Sequence, residues 1–168
     1  MKYLLTFVIT LFAFVSFSQG YVQVKENEPF KRADMIIIES DTIPKNAFTI
    51  VAKTLVKYGF ILDKLMPEYG TITTELRESR AVELKINVII SDTEIKLFGS
   101  YASLFPTSSQ PLALGTMNNP TSPKTMLLDY RNDLSIYFDE MTEIAKNIKE
   151  IINAKKLIYV ERGLTTKY

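Results

Sequence analysis

Residues 60–102 read FILDKLMPEYGTITTELRESRAVELKINVIISDTEIKLFGSYA and carry a hydrophobic pattern with a period of two. Between Val82 and Ile90, every second side chain is valine, leucine or isoleucine. Such alternation, interrupted by short turns, predicts an antiparallel meander with one apolar and one mostly polar face. The strands are predicted at 60–64, 71–77, 81–91 and 94–102. A sheet with one apolar face needs a covering layer.

Two amphipathic helices, one on each side of the meander in sequence, are predicted to form that layer. The first has Pro44 in its first turn, repeats apolar residues at helical spacing, and ends at Gly59, which suits the left-handed residue that closes a helix. The second is predicted within residues 127–156, where apolar residues recur three and four positions apart.

The fold class follows from these elements. Further strands are predicted at 35–39 and 157–161, with a short edge strand at 21–24. We therefore predict an α+β fold, a two-layer sandwich of a mainly antiparallel sheet with two amphipathic helices packed on one face. The predicted order is β-α-β-β-β-β-α-β, and the order of strands within the sheet does not follow from the sequence.

The N-terminal residues are typical of a signal peptide. Lys2 precedes an apolar run, and Ser16 and Ser18 occupy the small-residue positions before a predicted cut between Ser18 and Gln19. The run is short for a membrane span, and no cysteine is present to carry a lipid anchor. We expect an exported protein that is soluble, in the periplasm or the medium, after cleavage. The predicted signal peptide, flexible lead-in, single domain and tail are residues 1–18, 19–33, 34–162 and 163–168.

Composition excludes several classes of chemistry. The chain has no histidine and no cysteine, so triads and zinc or haem sites built on these residues are excluded. No glycine-rich phosphate loop occurs, and no cofactor is expected. Loss of Lys2 leaves 19 basic residues (20 less one) against 19 acidic ones, which offers no electrostatic footprint for nucleic acid or anionic lipid.

Carboxylates are the remaining acid–base groups. Asp139 and Glu143 lie one turn apart on the second predicted helix, where they could act as a pair or bind a hard cation. The alternative is a solvated face, because neighbouring lysines can compensate the charge. A carboxylate-dependent hydrolase would need these acids to converge with the acids of the meander, which are Asp63, Glu68, Asp92 and Glu94.

A long loop, residues 103–125, separates the meander from the second helix. It holds four of the seven prolines and one charge, yet it is rich in apolar residues. Two apolar residues, Ile89 and Phe98, interrupt the otherwise polar face of the meander. Either the loop covers them or they expose an apolar patch suited to a partner. The candidate contact residues are Ile89, Phe98, Phe105, Leu112, Leu114 and Met117.

Residues 55–75, LVKYGFILDKLMPEYGTITTE, resemble small exported bacterial α+β domains of the BamC (NlpB) type and exported domains of unknown function. In such domains an amphipathic helix ends at glycine and a hairpin with a Gly-Thr-Ile-Thr segment follows. The resemblance implies an α+β sandwich and a non-enzymatic role in the cell envelope, without implying any functional residue. BamC-type proteins are lipid-anchored, whereas this chain has no cysteine to acylate.

These observations favour an exported, non-enzymatic binding or scaffolding module whose partner is another envelope protein. Two alternatives are a carboxylate-dependent hydrolase with residues 103–125 as a lid, and a carrier of a small ligand between sheet and helices. The ligand, the partner and the oligomeric state do not follow from the sequence.

Overall fold

The computed structural model describes residues 21–79, 82–103, 126–130 and 134–162. The predicted cleavage site at Ser18 and Gln19, residues 104–125 of the predicted loop, and the predicted tail lie outside the described residues. The strands are β1 (Tyr21–Glu26), β2 (Met35–Glu39), β3 (Leu62–Met66), β4 (Thr71–Thr74), β5 (Arg77–Ser79), β6 (Val82–Ile90), β7 (Glu94–Ser103), β8 (Met126–Leu127) and β9 (Lys156–Arg162). The helices are α1 (Ala47–Lys57) and α2 (Ser135–Ile151), and a short 3₁₀ turn spans Pro67–Tyr69.

The strands form one antiparallel sheet in the order β1-β9-β2-β7-β6-β4-β3. Two short strands complete it, since β5 pairs with β6 and β8 pairs with β7. The sheet-dominated α+β prediction is therefore confirmed. The predicted order of elements is not, because that order leaves out β1, β5 and β8, of which β1 alone was predicted, as the edge strand at 21–24.

One face of the sheet shares its core with both helices. Alternate residues of the central strands, such as Ile36, Leu84 and Leu97, belong to the same buried cluster as Val51 of α1 and Phe138 of α2. We call this the helix-side face and the opposite one the outer face. Burial of large apolar side chains, each contributing about 1.5–3 kcal/mol, stabilises the packing of helices on sheet.

Helix α1 ends as predicted. Gly59 has a φ of +84°, the Gly59 N–H donates to the Val56 carbonyl at 2.9 Å, and the Phe60 N–H donates to the Leu55 carbonyl at 3.0 Å. Phe60 is consequently turned into the core, so β3 begins at Leu62 and not at residue 60. Pro44 lies before the helix, where its carbonyl accepts the Ala47 N–H at 2.8 Å.

The predicted strand at 71–77 is divided into β4 and β5. Thr74 is buried, and its hydroxyl accepts the Ile86 N–H at 3.0 Å. A side chain thus replaces a backbone carbonyl in the pairing with β6, which interrupts the ladder between the two short strands.

The prediction for the start of the second helix was wrong. Residues 126–127 form β8, with Tyr101 paired to Met126, and the described helix begins at Ser135. Leu128 is fully buried over Gly99, where an added Cβ would lie 2.7 Å from the Leu128 Cδ2 atom. The apolar residues at the start of the predicted helix therefore belong to the short strand β8 and to the buried contact between Leu128 and Gly99.

The predicted flexible lead-in, residues 19–33, contains part of the fold. Strand β1 pairs with β9 along most of its length, and Ala33 is fully buried. Because β1 lies at the sheet edge and exposes most of its described side chains, its sequence shows only weak alternation.

Candidate interaction surface

The outer face carries a second, smaller apolar cluster beside β2, β9 and β7. Met35, Ile37 and Val160 are buried there, and Phe98 and Ile158 pack against them and are partly buried. Strand register explains the cluster, since Met35 pairs with Val160 and Ile37 pairs with Ile158. Strands β2 and β9 are therefore apolar on both faces.

Arg162 positions the Phe98 ring. Its guanidinium carbon lies 4.8 Å from the ring centroid, and its Nε atom donates to Asp34 Oδ2 at 3.1 Å. The Arg162 backbone N–H donates to Asp34 Oδ1 at 3.0 Å, which holds the nearly buried Asp34 carboxylate at the end of β9. The aromatic residue at this surface is thus held by a charged pair as well as by its apolar neighbours.

Ile89 extends the apolar surface toward β4. It pairs with Lys96 on one side and Thr71 on the other, and 41% of it is exposed. Phe98 pairs with Asn87, two residues before Ile89, so Ile89 and Phe98 are diagonal neighbours on the outer face. The structure brings together the two strand residues that the sequence singled out. Phe105, Leu112, Leu114 and Met117 lie outside the described residues.

The sequence did not identify the four apolar residues of the outer-face cluster that surrounds Phe98. Met35 and Ile37 lie in the run MIIIE, and Ile158 and Val160 lie in LIYVE. The uninterrupted apolar run of β2 was a usable signal, because a strand buried on both faces loses its alternation. Without the strand order, however, neither run could be placed beside Phe98.

The acids proposed for a hydrolase do not all converge on one site. Asp63 contacts Lys85, an outer-face residue, with an Oδ2–Nζ distance of 3.4 Å. Asp139 and Glu143 lie on α2, across the sheet, and Glu143 pairs with Lys146 on its own helix at 2.8 Å. Among the described residues, no group of three or more acids could hold a metal ion.

Two of the remaining acids, Glu68 and Asp92, line one open pocket of about 450 Å³ beside the start of α1. Glu94 pairs with Lys96 at 2.9 Å, and Glu68 and Asp92 are exposed beside turns. Their positions match the ordinary use of acids at turns and solvated strands.

A tyrosine below α2 has a pKa that its buried environment shifts. Tyr159 is fully buried, and burial raises the pKa of its phenol above the ordinary value, while Thr142 and Lys146 act in the opposite direction. Its hydroxyl oxygen is enclosed and makes no well-formed hydrogen bond within the described part of the chain. Of the charged groups that act on it, Lys146 and Glu143 are exposed and paired with each other, and we assign Tyr159 a structural role.

The Tyr159 environment predicts a stability change at alkaline pH. An unfolded tyrosine loses its phenolic proton at about pH 10, whereas the buried phenol of the folded state keeps its proton to a higher pH. The contribution of Tyr159 to the free energy of unfolding is therefore complete below about pH 10 and declines as the pH rises further. Tyr159→Phe should reduce the alkaline decline in the free energy of unfolding by up to about 1.4 kcal/mol per pH unit. Urea unfolding between roughly pH 9 and 11 measures this. Tyr69→Phe, at a residue that is 71% exposed, is the control, and equal slopes in the two variants would contradict the assignment.

Comparison of the chain with protein-family models and with curated proteins finds no match. Across the described residues, neither helix is long and apolar enough to cross a membrane.

Proposed function

We propose that the protein is an exported, non-enzymatic binding or scaffolding module of the bacterial cell envelope, which contacts another envelope protein through the outer face of its sheet. The observation that carries the proposal is the apolar cluster on the face opposite the helices, from which Phe98 and Ile89 reach solvent. In this account the fold is a two-layer sandwich, with both helices covering the helix-side face.

The outer face has the features of a contact surface. Its apolar centre, formed by Met35, Ile37 and Val160, is flanked by charged and polar side chains, including Lys96 and Asn87. Interfaces commonly combine an apolar centre with a polar rim. Phe98 lies between buried residues and Arg162, so binding would immobilise few new side-chain rotamers, which favours affinity.

The proposed compartment rests on the sequence. Residues 1–18 have the pattern of a signal peptide, and residues 55–75 resemble BamC-type envelope domains. The absence of cysteine is compatible with an oxidising compartment and with a stability that depends on the core alone.

The two alternative functions have less support than the contact surface. Asp63, Glu94 and Glu143 are paired with lysines, and Glu68 and Asp92, which line one open pocket, have no third acid grouped with them among the described residues. Large, fully buried side chains such as Phe60, Phe138 and Tyr159 occupy the core between sheet and helices, where a small ligand would have to lie.

Ile89→Lys is expected to abolish partner capture without unfolding the protein. The side chain is partly exposed, so the substitution should change the free energy of unfolding by less than about 1 kcal/mol while placing a charge in the apolar contact. The matched control is Ile61→Lys, at an isoleucine that is 63% exposed beside β3. The measurement is quantitative affinity capture from the envelope fraction of the source bacterium with the exported full chain.

The expected result is a protein recovered with the wild type and with Ile61→Lys but depleted with Ile89→Lys. Equal recovery with all three chains would contradict the assignment of the outer face. Circular dichroism of the variants verifies that they are folded.

A further inference from the structure

We propose that the groove between α1 and α2 is a second docking site, which accepts an acidic amphipathic helix of a partner protein. The groove has a volume of about 230 Å³ and lies on the helix layer, across the sheet from the outer face. Its lining residues are Ile50, Lys53, Thr54, Lys57, Asn147 and Ile151. The inference goes beyond the proposed function, because it gives the module a second, independent contact.

The shape of the groove suits a helix. Its α1 wall consists of residues 50, 53, 54 and 57, spaced as one stripe of a helix, and its α2 wall consists of Asn147 and Ile151, one turn apart. The stripe extends over about 10 Å, or roughly two helical turns. Ile151 is 54% exposed and Ile50 is half-buried, so the lining offers apolar area to the ridge of a third helix.

The charge of the groove selects an acidic partner. Lys53 and Lys57 are exposed one turn apart, and neither forms an ion pair with a described residue. Lys146, on α2, is by contrast paired with Glu143. Two like charges at this spacing repel each other, and carboxylates of a bound helix would relieve the repulsion.

A polar group in the groove lacks a partner. The Asn147 Oδ1 atom is enclosed and accepts no hydrogen bond within the described ranges. Because the chain itself encloses that atom, it is not offered to a docked helix, and the contact depends on the apolar stripe and the two lysines. The ligand that fits therefore combines apolar residues on one stripe with carboxylates flanking it.

The test uses defined probes and the folded chain. The probe is a synthetic 14-residue helical peptide with leucines on one stripe and flanking glutamates, and its counterpart carries lysines in place of the glutamates. Chemical shifts of backbone amides are followed by NMR during titration. The expected result is saturable shifts confined to residues 50–57 and 147–151 with the acidic peptide alone.

Charge reversal tests the role of the lysines. Lys53→Glu with Lys57→Glu should weaken binding of the acidic peptide by about tenfold or more. Lys31→Glu with Lys64→Glu, which makes the same charge change at exposed lysines elsewhere, should leave it within about twofold. The Ile89→Lys chain should bind the peptide normally, which separates this inference from the proposed function.

Three outcomes would overturn the inference. They are the absence of saturable shifts at the groove, equal binding of the lysine peptide, and unchanged affinity in the Lys53→Glu, Lys57→Glu chain. Shifts at the groove that depend on protein concentration without peptide would assign it to a second copy of the chain instead.

Discussion

Gly70→Ala is expected to lower the free energy of unfolding by about 3–5 kcal/mol, because position 70 excludes a side chain in two ways. Its φ is +61°, and an added Cβ would lie 2.1 Å from the Ile90 carbonyl oxygen. That oxygen cannot withdraw easily, since the Ile90 N–H is bonded to the Gly70 carbonyl at 2.7 Å. The substitution must therefore shift the end of β6 or the turn before β4.

Gly59→Ala is the matched control for Gly70→Ala. Gly59 also has a positive φ, but an added Cβ would meet only the Arg77 Nη1 atom, at an ordinary 3.6 Å. Its cost should be about 1 kcal/mol, the penalty of the left-handed conformation alone. Urea denaturation of both variants measures the difference, and equal losses would show that the backbone contact at Ile90 is not important.

Arg77→Met should lower the free energy of unfolding by about 2–3 kcal/mol. The guanidinium lies 4.1 Å from the Phe60 ring centroid, donates to the Tyr58 carbonyl at 2.6 Å and pairs with Glu140 of α2. Both partners of the ion pair are about three-quarters buried, so Glu140 would be left with little water to replace the lost contact.

Two further variants measure how much of this loss comes from the ion pair between Arg77 and Glu140. Adding Glu140→Gln to Arg77→Met should recover part of the loss, because no unpaired carboxylate then remains. Lys146→Met, which removes an exposed partner of Glu143 from the same helix, should cost less than about 1 kcal/mol. If Arg77→Met lowered the free energy of unfolding no more than Lys146→Met does, Arg77 would not stabilise the packing of α1, α2 and β5 as expected.

Local patterns in the sequence predicted much of the fold. The period of two in 81–91 located β6, and Gly59 followed by Phe60 located the end of α1, because both signals depend on neighbouring residues alone. Ile89 and Phe98 were placed on one face for the same reason.

Long-range contacts could not be predicted in this way. Arg77 lies at the end of the strand predicted at 71–77, yet it contacts Tyr58 and Glu140, residues 19 and 63 positions away. Leu128 lies within the range predicted for the second helix, but its place is decided by the absence of a side chain at Gly99 on another strand. Likewise, the cluster below Phe98 exists because β2 lies between β9 and β7, an order that no local signal specifies.

The two proposed contacts lie on opposite sides of the sheet. The outer face offers an apolar surface centred on Phe98, and the helix layer offers a groove flanked by Lys53 and Lys57. A protein with two such surfaces can bind two partners at once, which is what a scaffolding role requires. Several of the described acids, among them Asp63, Glu140 and Glu143, form ion pairs with basic side chains.

Site-specific photo-crosslinking tests the central claim most directly. A benzophenone amino acid is introduced at position 89 of the full chain, which is irradiated in the proposed compartment, the cell envelope, with position 61 as the exposed control. The account predicts a discrete adduct with one envelope protein from position 89 and none from position 61. No adduct from position 89, or the same adducts from both positions, would contradict the assignment of the outer face as the binding surface.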